Sequence, residues 1–297
     1  MKKIFTRIVL KLARKNIIKM SDKIYLTLMG KVKLNQKMDL DNPKTFNEKL
    51  QWLKLYDRNP EYTKMVDKYE AKKYISNIIG EEYIIPTIGI FKKFEDIDFE
   101  KLPDKFVIKT THDSGSVIIC KDKKSFDIEK AKEKIKKSLK RKYYNLYREW
   151  SYKDINPRIL IEKYMVTEKQ PELIDYKFFC FNGKPKFIYV SEGLSNHKTA
   201  KISFADIDYK MMNFYRKDYR PFEKLPPKPK NFKIMKELAE KLSKNIPFLR
   251  VDFYEIENKI FFGELTFYPC AGYLPFQPEE YDKVLGDMLE LPKEKRV

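Results

Sequence analysis

The stretch from residue 250 to residue 266 constrains this chain most. Val251, Phe253 and Tyr254 form one apolar run, and Ile260, Phe261 and Phe262 form a second. Asn258 and Lys259 supply a turn between them. Such runs parted by a turn signal predict a β-hairpin. The hairpin brings Asp252 and Glu264, twelve positions apart in sequence, onto one face. Two carboxylates that face one cavity repel unless a cation lies between them. Hard oxygen ligands beside a triphosphate suit Mg²⁺. Arg250 adds a fixed positive charge for a phosphate or a developing oxyanion. The same letters also fit an amphipathic hairpin that shows its charges to water, and these residues alone leave both readings open.

Upstream, residues 45–52 and 67–74 carry apolar positions at three- and four-residue spacing and predict helices. Ile84, Ile85 and Pro86 open a strand region. Residues 106–109 form a buried-looking strand that ends on Lys109. A loop of small residues follows at 110–116, then a strand at 117–121. Backbone N–H groups of such a loop can face phosphate oxygens, with lysine supplying charge. Ser114, Gly115 and Ser116 are the candidates there. No Gly-Lys-Ser/Thr opens a helix, so this is not a Walker loop. An ordinary hairpin with a polar tip would have the same letters. Residues 158–162 read as a strand that ends on Glu162 and runs on through Lys163 to Met165. Asn182 and Gly183, between apolar runs, predict a hairpin over residues 175–190. Asp175 and Lys177 lie on its first strand. On a wet face they would be an ion pair worth under about 1 kcal/mol.

The order of these parts resembles the ATP-grasp ligases over roughly residues 67–275. Within that superfamily the chain looks most like the TupA-like group of cell-surface polymer synthesis. Residues 46–52 (Phe-Asn-Glu-Lys-Leu-Gln-Trp), 109–115 (Lys-Thr-Thr-His-Asp-Ser-Gly) and 178–183 (Phe-Phe-Cys-Phe-Asn-Gly) carry that likeness. The resemblance implies an α+β fold of two antiparallel-sheet lobes clasping ATP, with a helical N-terminal region. The chain then divides into a basic amphipathic segment at 1–40 and a helical/α-β subdomain at 41–105. A small lobe at 106–162 and a large lobe with the metal site at 163–297 complete it. Asp252, Glu264 and Thr266 take the place of the Mg²⁺ ligands, although the family usually has Asn where Thr266 stands, and threonine is a weaker ligand. Lys109 and Lys177 match phosphate-binding positions, and Arg250 would steady the reacting oxygens. Glu162, Lys163 and Met165 resemble the linker that holds the adenine, and Asp175 the ribose-binding acid. The implied reaction has two steps. A carboxylate attacks the γ-phosphate of ATP to give an acyl phosphate. An amine then displaces phosphate to leave an amide, on a capsular or cell-wall polysaccharide or its precursor. The implied substrates are a uronic acid or an amino acid, with residues 191–198 and 266–273 as candidate pocket lining.

Composition agrees with an enzyme. The 297 residues suffice for two or three lobes around their own cores. A hydrophobic content of 42% excludes wholesale disorder. The net charge of +19 invites a nucleic-acid reading. Against it, the lysines are spread along the whole chain and no basic-aromatic module is present, so no nucleic-acid partner is expected. Cys120, Cys180 and Cys270 form an odd set without Cys-x-x-Cys spacing. They predict reduced thiols in a cytoplasmic chain and no zinc site. Two histidines, His112 and His197, are too few for a histidine metal cluster. His112 falls in the phosphate-loop candidate, as a phosphate contact or as a plain loop residue.

Residues 1–20 place Ile4, Phe5, Ile8, Val9 and Leu12 on one helical face and most of Lys2, Lys3, Arg7, Lys11 and Arg14 elsewhere. Such a helix can lie at the inner face of a membrane or pack on the domain. No run reaches the roughly 18 apolar residues of a membrane span, and the uncharged runs are too short for a signal peptide. A lysine-rich helix is expected at 130–148 and an extended linker at 221–229. A helix at 232–244 should bury Ile234, Met235, Leu238 and Leu242. The rival reading is a glycosyltransferase that uses a nucleotide sugar through an Asp-x-Asp motif. Asp206 and Asp208 have those letters, but in a polar stretch expected to be a loop, and no strand–helix alternation is evident. A small-molecule phosphotransferase on the same fold and a non-catalytic basic binding protein are further readings.

Overall fold

The computed structural model describes residues 2–167, 172–194 and 198–297. Helices α1 (Lys2–Arg14), α2 (Asp22–Lys33), α3 (Phe46–Tyr56), α4 (Glu61–Val66) and α5 (Glu70–Ile79) form the N-terminal region. Strands β1 (Thr87–Phe91), β2 (Phe106–Thr110), β3 (Ile118–Cys120) and β4 (Ile159–Lys163) make an antiparallel sheet ordered β1-β4-β2-β3. Between β3 and β4 lie α6 (Ile128–Leu139) and the short α7 (Tyr144–Tyr147). Strands β5 (Asp175–Phe181), β6 (Lys184–Glu192), β7 (Lys201–Asp206), β9 (Phe248–Ile256) and β10 (Lys259–Thr266) make a larger antiparallel sheet ordered β10-β9-β5-β6-β7. A small ladder pairs β8 (Tyr215–Arg216) with β11 (Phe276–Gln277). Helices α8 (Phe232–Ser243) and α9 (Tyr281–Met288) complete the described chain.

Local chemistry sets these boundaries. Thr45 Oγ accepts the Glu48 N–H at 3.2 Å while the Glu48 carboxylate accepts the Thr45 N–H at 3.0 Å, a reciprocal cap that starts α3. The helix expected from residue 67 starts later, at Glu70. Asp67 Oδ1 accepts the N–H groups of Tyr69 and Glu70, at 2.8 and 3.0 Å, and so caps the helix from outside it. The expected helix over 130–148 is broken after Leu139: Arg141 turns back to Asp113, and Arg148 takes a left-handed φ of 56°. Both predicted hairpins form. Asn182 and Gly183 have φ of 49° and 79°, the positive values a two-residue turn requires. In the second hairpin the turn residues are Glu257 and Asn258, with φ of 50° and 62°, and Lys259 already lies in β10.

The main core lies on both faces of the larger sheet. On one face Phe46 of α3 packs its ring 4.9 Å from that of Phe248 and 5.5 Å from that of Phe181. On the other face α8 buries Met235, Leu238, Ala239 and Leu242. Ile234, expected on that side, is 42% exposed, because the buried stripe runs through Ala239 and leaves Ile234 at its margin. A separate core of Phe106, Ile108, Ala131, Ile135, Ile159 and Ile161 holds α6 to the smaller sheet. Helix α1 meets the domain through only part of its surface. It buries Leu10 and Ala13 in a cluster with Tyr25, Leu26 and Met29, while Ile4, Phe5 and Ile8 stay 65%, 68% and 52% exposed. The 221–229 segment has no regular structure but is tied to the sheet edge, since the Phe222 N–H donates to Ser203 Oγ at 2.9 Å. Among the described residues no helix is long and apolar enough to cross a membrane.

Candidate active site

The centre of the site is Asp252 on β9, the strand between β10 and β5. Strand pairing sets Glu264 opposite Asp252 on one side and Lys177 opposite it on the other. Glu264 reaches that position through a register shift at Gly263. A Cβ there would meet the Tyr254 ring at 3.0 Å and the Asp252 carbonyl at 3.2 Å, so the close approach of the two strands favours glycine. Asp252 is only 2% exposed. Its Oδ1 accepts from Arg250 Nε at 2.7 Å, and its Oδ2 from Arg250 Nη2 at 2.6 Å and Lys177 Nζ at 3.1 Å. Burial alone would raise its pKa. The guanidinium and the ammonium outweigh burial and hold the carboxyl below its ordinary value. Lys177 also donates to Asp175 at 2.6 Å, and these acids keep it protonated against the opposing effect of burial. Asp175 is thereby committed to Lys177 and, at 3.4 Å, to the Ser191 hydroxyl.

Glu264 differs from Asp252. Its side chain is 42% exposed, with Arg250 at 3.7 Å and Lys68 at 4.0 Å. Thr266 Oγ accepts from Arg250 at 2.9 Å and donates to Glu264 at 3.4 Å. Two carboxylates in register, one of them open to solvent, suit Mg²⁺, which takes one or two protein carboxylates and completes its shell with phosphate and water. The Thr266 hydroxyl is occupied twice and suits the ion less.

A second acid hub belongs to the smaller sheet. Glu162, 4% exposed, pairs with Lys109 through one oxygen and with Lys72 at 2.6 Å through the other. Burial opposes its ionisation, and the two lysines overcome that and lower its pKa. A cavity of about 170 Å³ runs between the sheets, lined by Lys68, Lys72, Lys109, Glu162, Gly263 and Glu264 among others. The structure brings Lys109, Glu162 and Glu264, singled out in the sequence, to one cleft, together with Lys68 and Lys72, which were not. Their spacing of four residues within the helix predicted over 67–74 was the available signal.

The loop after β2 is held from within. Asp113, 1% exposed, accepts from the hydroxyls of Thr110 and Ser138 and from Arg141. Ser116 Oγ accepts the Thr110 N–H at 3.0 Å, so its hydroxyl faces the loop interior, whereas Ser114 and Gly115 form the exposed tip. Gly115 has φ of 87° with open space around it, so conformation and not room favours glycine there. His112 is buried, with Nε2 3.1 Å from the Arg141 carbonyl oxygen, and burial lowers its pKa. Lys163 is exposed at the end of β4 and uses its N–H on the Pro86 carbonyl at 3.0 Å, and Met165 is half-buried beyond it. Neither side chain lines the cleft cavity.

A larger cavity of about 600 Å³ opens beside Arg250, Glu264 and Thr266. Ser114, Tyr268, Cys270, Ala271 and Tyr273 line it, in keeping with the expectation for residues 266–273. Of the other expected stretch, Ser195, Asn196 and His197 lie outside the described residues. Asp206 is not in a loop as expected: it ends β7, whose Phe204 and Ala205 are buried, and its Oδ1 accepts the N–H groups of Asp208 and Lys210. The pair closes a turn on an antiparallel edge strand and does not line the 600 Å³ cavity. Among the described residues no cluster of three or more His, Cys, Asp or Glu side chains is placed to hold a metal.

The model of the TupA-like ATP-grasp family matches residues 48–290. The chain belongs to the TupA-like ATP-grasp family. Its two antiparallel sheets and helical N-terminal region are the α+β ATP-grasp fold. No curated protein matches the sequence. Solved structures similar to it include the D-alanine–D-alanine ligase of Helicobacter pylori, at 18% identity and a TM-score of 0.38, covering 76% of this chain and 61% of that one. The D-alanine–D-alanine ligase of Bacillus anthracis complexed with ATP is 16% identical, with a TM-score of 0.39 and coverage of 76% and 63%. The RimK-domain ATP-grasp protein of Sphaerobacter thermophilus is 11% identical, with a TM-score of 0.41 and coverage of 79% and 70%. The chain spans about three-fifths of the length of the D-alanine–D-alanine ligases it resembles.

Proposed function

We propose that this chain is an ATP- and Mg²⁺-dependent ligase that joins a carboxylate to an amine through an acyl phosphate. One observation supports this above the others: Asp252 and Glu264 face each other in register, with Arg250 and Lys177 on the same face. Glu264 would hold Mg²⁺ through its open carboxylate, and Asp252 would join it by exchanging a hydrogen bond from Arg250 or Lys177 for the ion, which when bound offsets the charge of the phosphate oxygens. Lys68, Lys72 and Lys109 line the cleft between the sheets and supply positive charge for the rest of the triphosphate. At about 170 Å³ the cleft is smaller than the roughly 300–1,000 Å³ of most small-molecule sites, so nucleotide entry requires the sheets or the Ser114–Gly115 tip to move apart. The substrate carboxylate oxygen attacks the γ-phosphorus and ADP leaves. Arg250 steadies the oxygens that gain charge, so positioning and electrostatics carry the catalysis.

The substrates belong in the 600 Å³ cavity. Lys33, Arg216 and Lys217 make one wall basic, which suits an acid. The ring faces of Tyr143, Tyr147, Tyr152, Tyr268 and Tyr273 suit the apolar face of a sugar. On this basis the carboxylate donor is a uronic acid or amino acid of a capsular or cell-wall polymer. The exposed Ile4, Phe5 and Ile8, beside exposed Arg7 and Lys11 on α1, support peripheral contact with an anionic membrane surface.

The direct test is a thermal-shift comparison of ATP plus Mg²⁺ with a panel of nucleotide sugars. The ligase reading expects a shift with ATP–Mg²⁺ that Glu264→Ala removes. A shift with a nucleotide sugar alone would replace it by the glycosyltransferase reading.

A further inference from the structure

The 600 Å³ cavity contains a carboxylate that the reaction above does not use. Glu149 lines its wall and is 5% exposed. Among the described residues no hydrogen-bond donor or ion-pair partner reaches its side-chain oxygens, and what acts on it is burial and the more distant charges of Lys54 and Glu264. A buried acid without a partner is costly unless something else meets it there. Lys54, the nearest cationic influence, is engaged elsewhere. Its ammonium donates to the carbonyls of Ala271 at 2.7 Å and Tyr147 at 3.1 Å, and lies over the rings of Tyr268 and Tyr273.

We propose that Glu149 anchors the ammonium group of the amine-bearing substrate within this cavity. The inference rests on the ligase reading and adds to it the place and charge of the second substrate. Tyr143, Tyr147 and Tyr152 line the same cavity, and aromatic faces attract cations as an acid does. The cavity also holds Arg250, Glu264 and Thr266, so an ammonium held at Glu149 shares one chamber with the groups that would activate the carboxylate, and its nitrogen attacks after giving up a proton that the Glu149 carboxylate can accept. The charged and titratable groups around Glu149 are Lys54 from α3, Tyr143 and Tyr152 from the segment around α7, Tyr268 and Tyr273 after β10, and Glu264. Burial lifts the Glu149 carboxyl to about 7 and lowers the Lys54 ammonium to about 8, and the attraction between the two offsets burial only in part. A substrate cation supplies the missing charge.

The test uses the full chain with ADP and Mg²⁺. L-Alanine amide, L-lysine amide and D-glucosamine are titrated calorimetrically beside their N-acetyl counterparts, which lack the cation. At least one amine should bind tenfold or more tighter than its acetylated form, and Glu149→Gln should remove that preference while keeping ADP–Mg²⁺ affinity and a wild-type circular dichroism spectrum. Glu149→Asp should restore part of it. If no amine is preferred, or if the preference survives in Glu149→Gln, the anchor role is wrong. A separate arm tests the ligase reading. Hydroxylamine, a nucleophile that needs no ammonium anchor, is added with ATP, Mg²⁺ and a panel of uronic and amino acids. Hydroxamate formed equally by wild type and Glu149→Gln keeps the ligase reading whatever the amine titrations give. No hydroxamate from any acid removes the ligase reading, while the titrations still decide whether Glu149 binds amines.

Discussion

Glu162 and Asp252 are both buried acids ionised by two cations, one on each sheet, yet they serve different ends. Glu162 has Lys72 on one oxygen and Lys109 on the other. Its second cation comes from helix α5, so the pair fastens the N-terminal region to the smaller sheet. Asp252 has its cations on its own strand and the next, Arg250 and Lys177, and has the half-exposed Glu264 opposite. The first hub has both oxygens of its acid taken and joins two parts of the molecule, while its lysines also line the cleft between the sheets. The other keeps an accessible second carboxylate at a cavity. A buried ion pair is weak evidence of function. An open acid beside a closed one, in register, is what suits the second hub to the cation proposed for it.

The largest expected effect separates the two acids of the open hub. Glu264→Ala should lower ATP turnover by about 1,000-fold or more with little change in melting temperature, because that side chain is half-exposed. Steady-state ADP formation with differential scanning calorimetry checks both halves, and full activity would break the metal role. Asp252→Asn and Glu162→Gln should each destabilise the fold by about 3–5 kcal/mol, since each leaves two buried cations short of an acid. Chemical denaturation reads this, and a loss below about 1 kcal/mol at either position would break the likeness between the hubs.

The sign of the pH dependence sharpens the same comparison. Asp252 and Glu162 have folded pKa values below the ordinary carboxylate value. Their contribution is therefore complete above that value and is lost as pH falls through the lower folded values. Stability below about pH 4 should fall less steeply in Asp252→Asn than in the wild type. Glu149 is the contrast, an acid buried without a cation and raised to about 7. It opposes folding when ionised, so Glu149→Gln should stabilise the protein by up to about 3 kcal/mol above pH 7, with the gain shrinking as pH falls toward 4.5. Urea denaturation at pH 8 and pH 5 measures it, and a loss of stability at pH 8 would show that Glu149 has a partner in solution. The smallest effect lies outside both hubs. Ile4→Ser with Phe5→Ser should weaken flotation with anionic liposomes several-fold and leave ADP formation in solution unchanged. Equal flotation of both forms would remove the membrane contact.

Much of the site was legible in the chain because hairpins are local. Asn182 and Gly183 fix the turn that carries Asp175 and Lys177 into β5, and Glu257 with Asn258 fixes the one that carries Asp252 and Glu264 together. The period of two along each strand then puts Arg250 beside Asp252 on one face. What the letters obscured was burial and cap geometry. Residues 67–69 have helical spacing, but Asp67 spends its carboxylate on the N–H groups of Tyr69 and Glu70 and begins the helix later. Ile4, Phe5 and Ile8 form a better apolar face than Leu10 and Ala13, yet the latter pair is the one that meets α2. Lys68 and Lys72 sit among many similar charges with only their four-residue spacing to mark them, and nothing in its neighbours distinguishes Glu149.

The sequence by itself therefore determined the two hairpins and the placing of Arg250, Asp252 and Glu264 on one of them, because those depend on residues close together in the chain. Tertiary structure alone decided which lysines close on Glu162, which acid is left without a cation, and which side of α1 meets water. Those outcomes depend on contacts between separate elements, from α1 against the neighbouring α2 to Lys54 of α3 against the Ala271 carbonyl, 217 positions away in the chain. No local pattern specifies such contacts. They follow from which surfaces the cores can bury together.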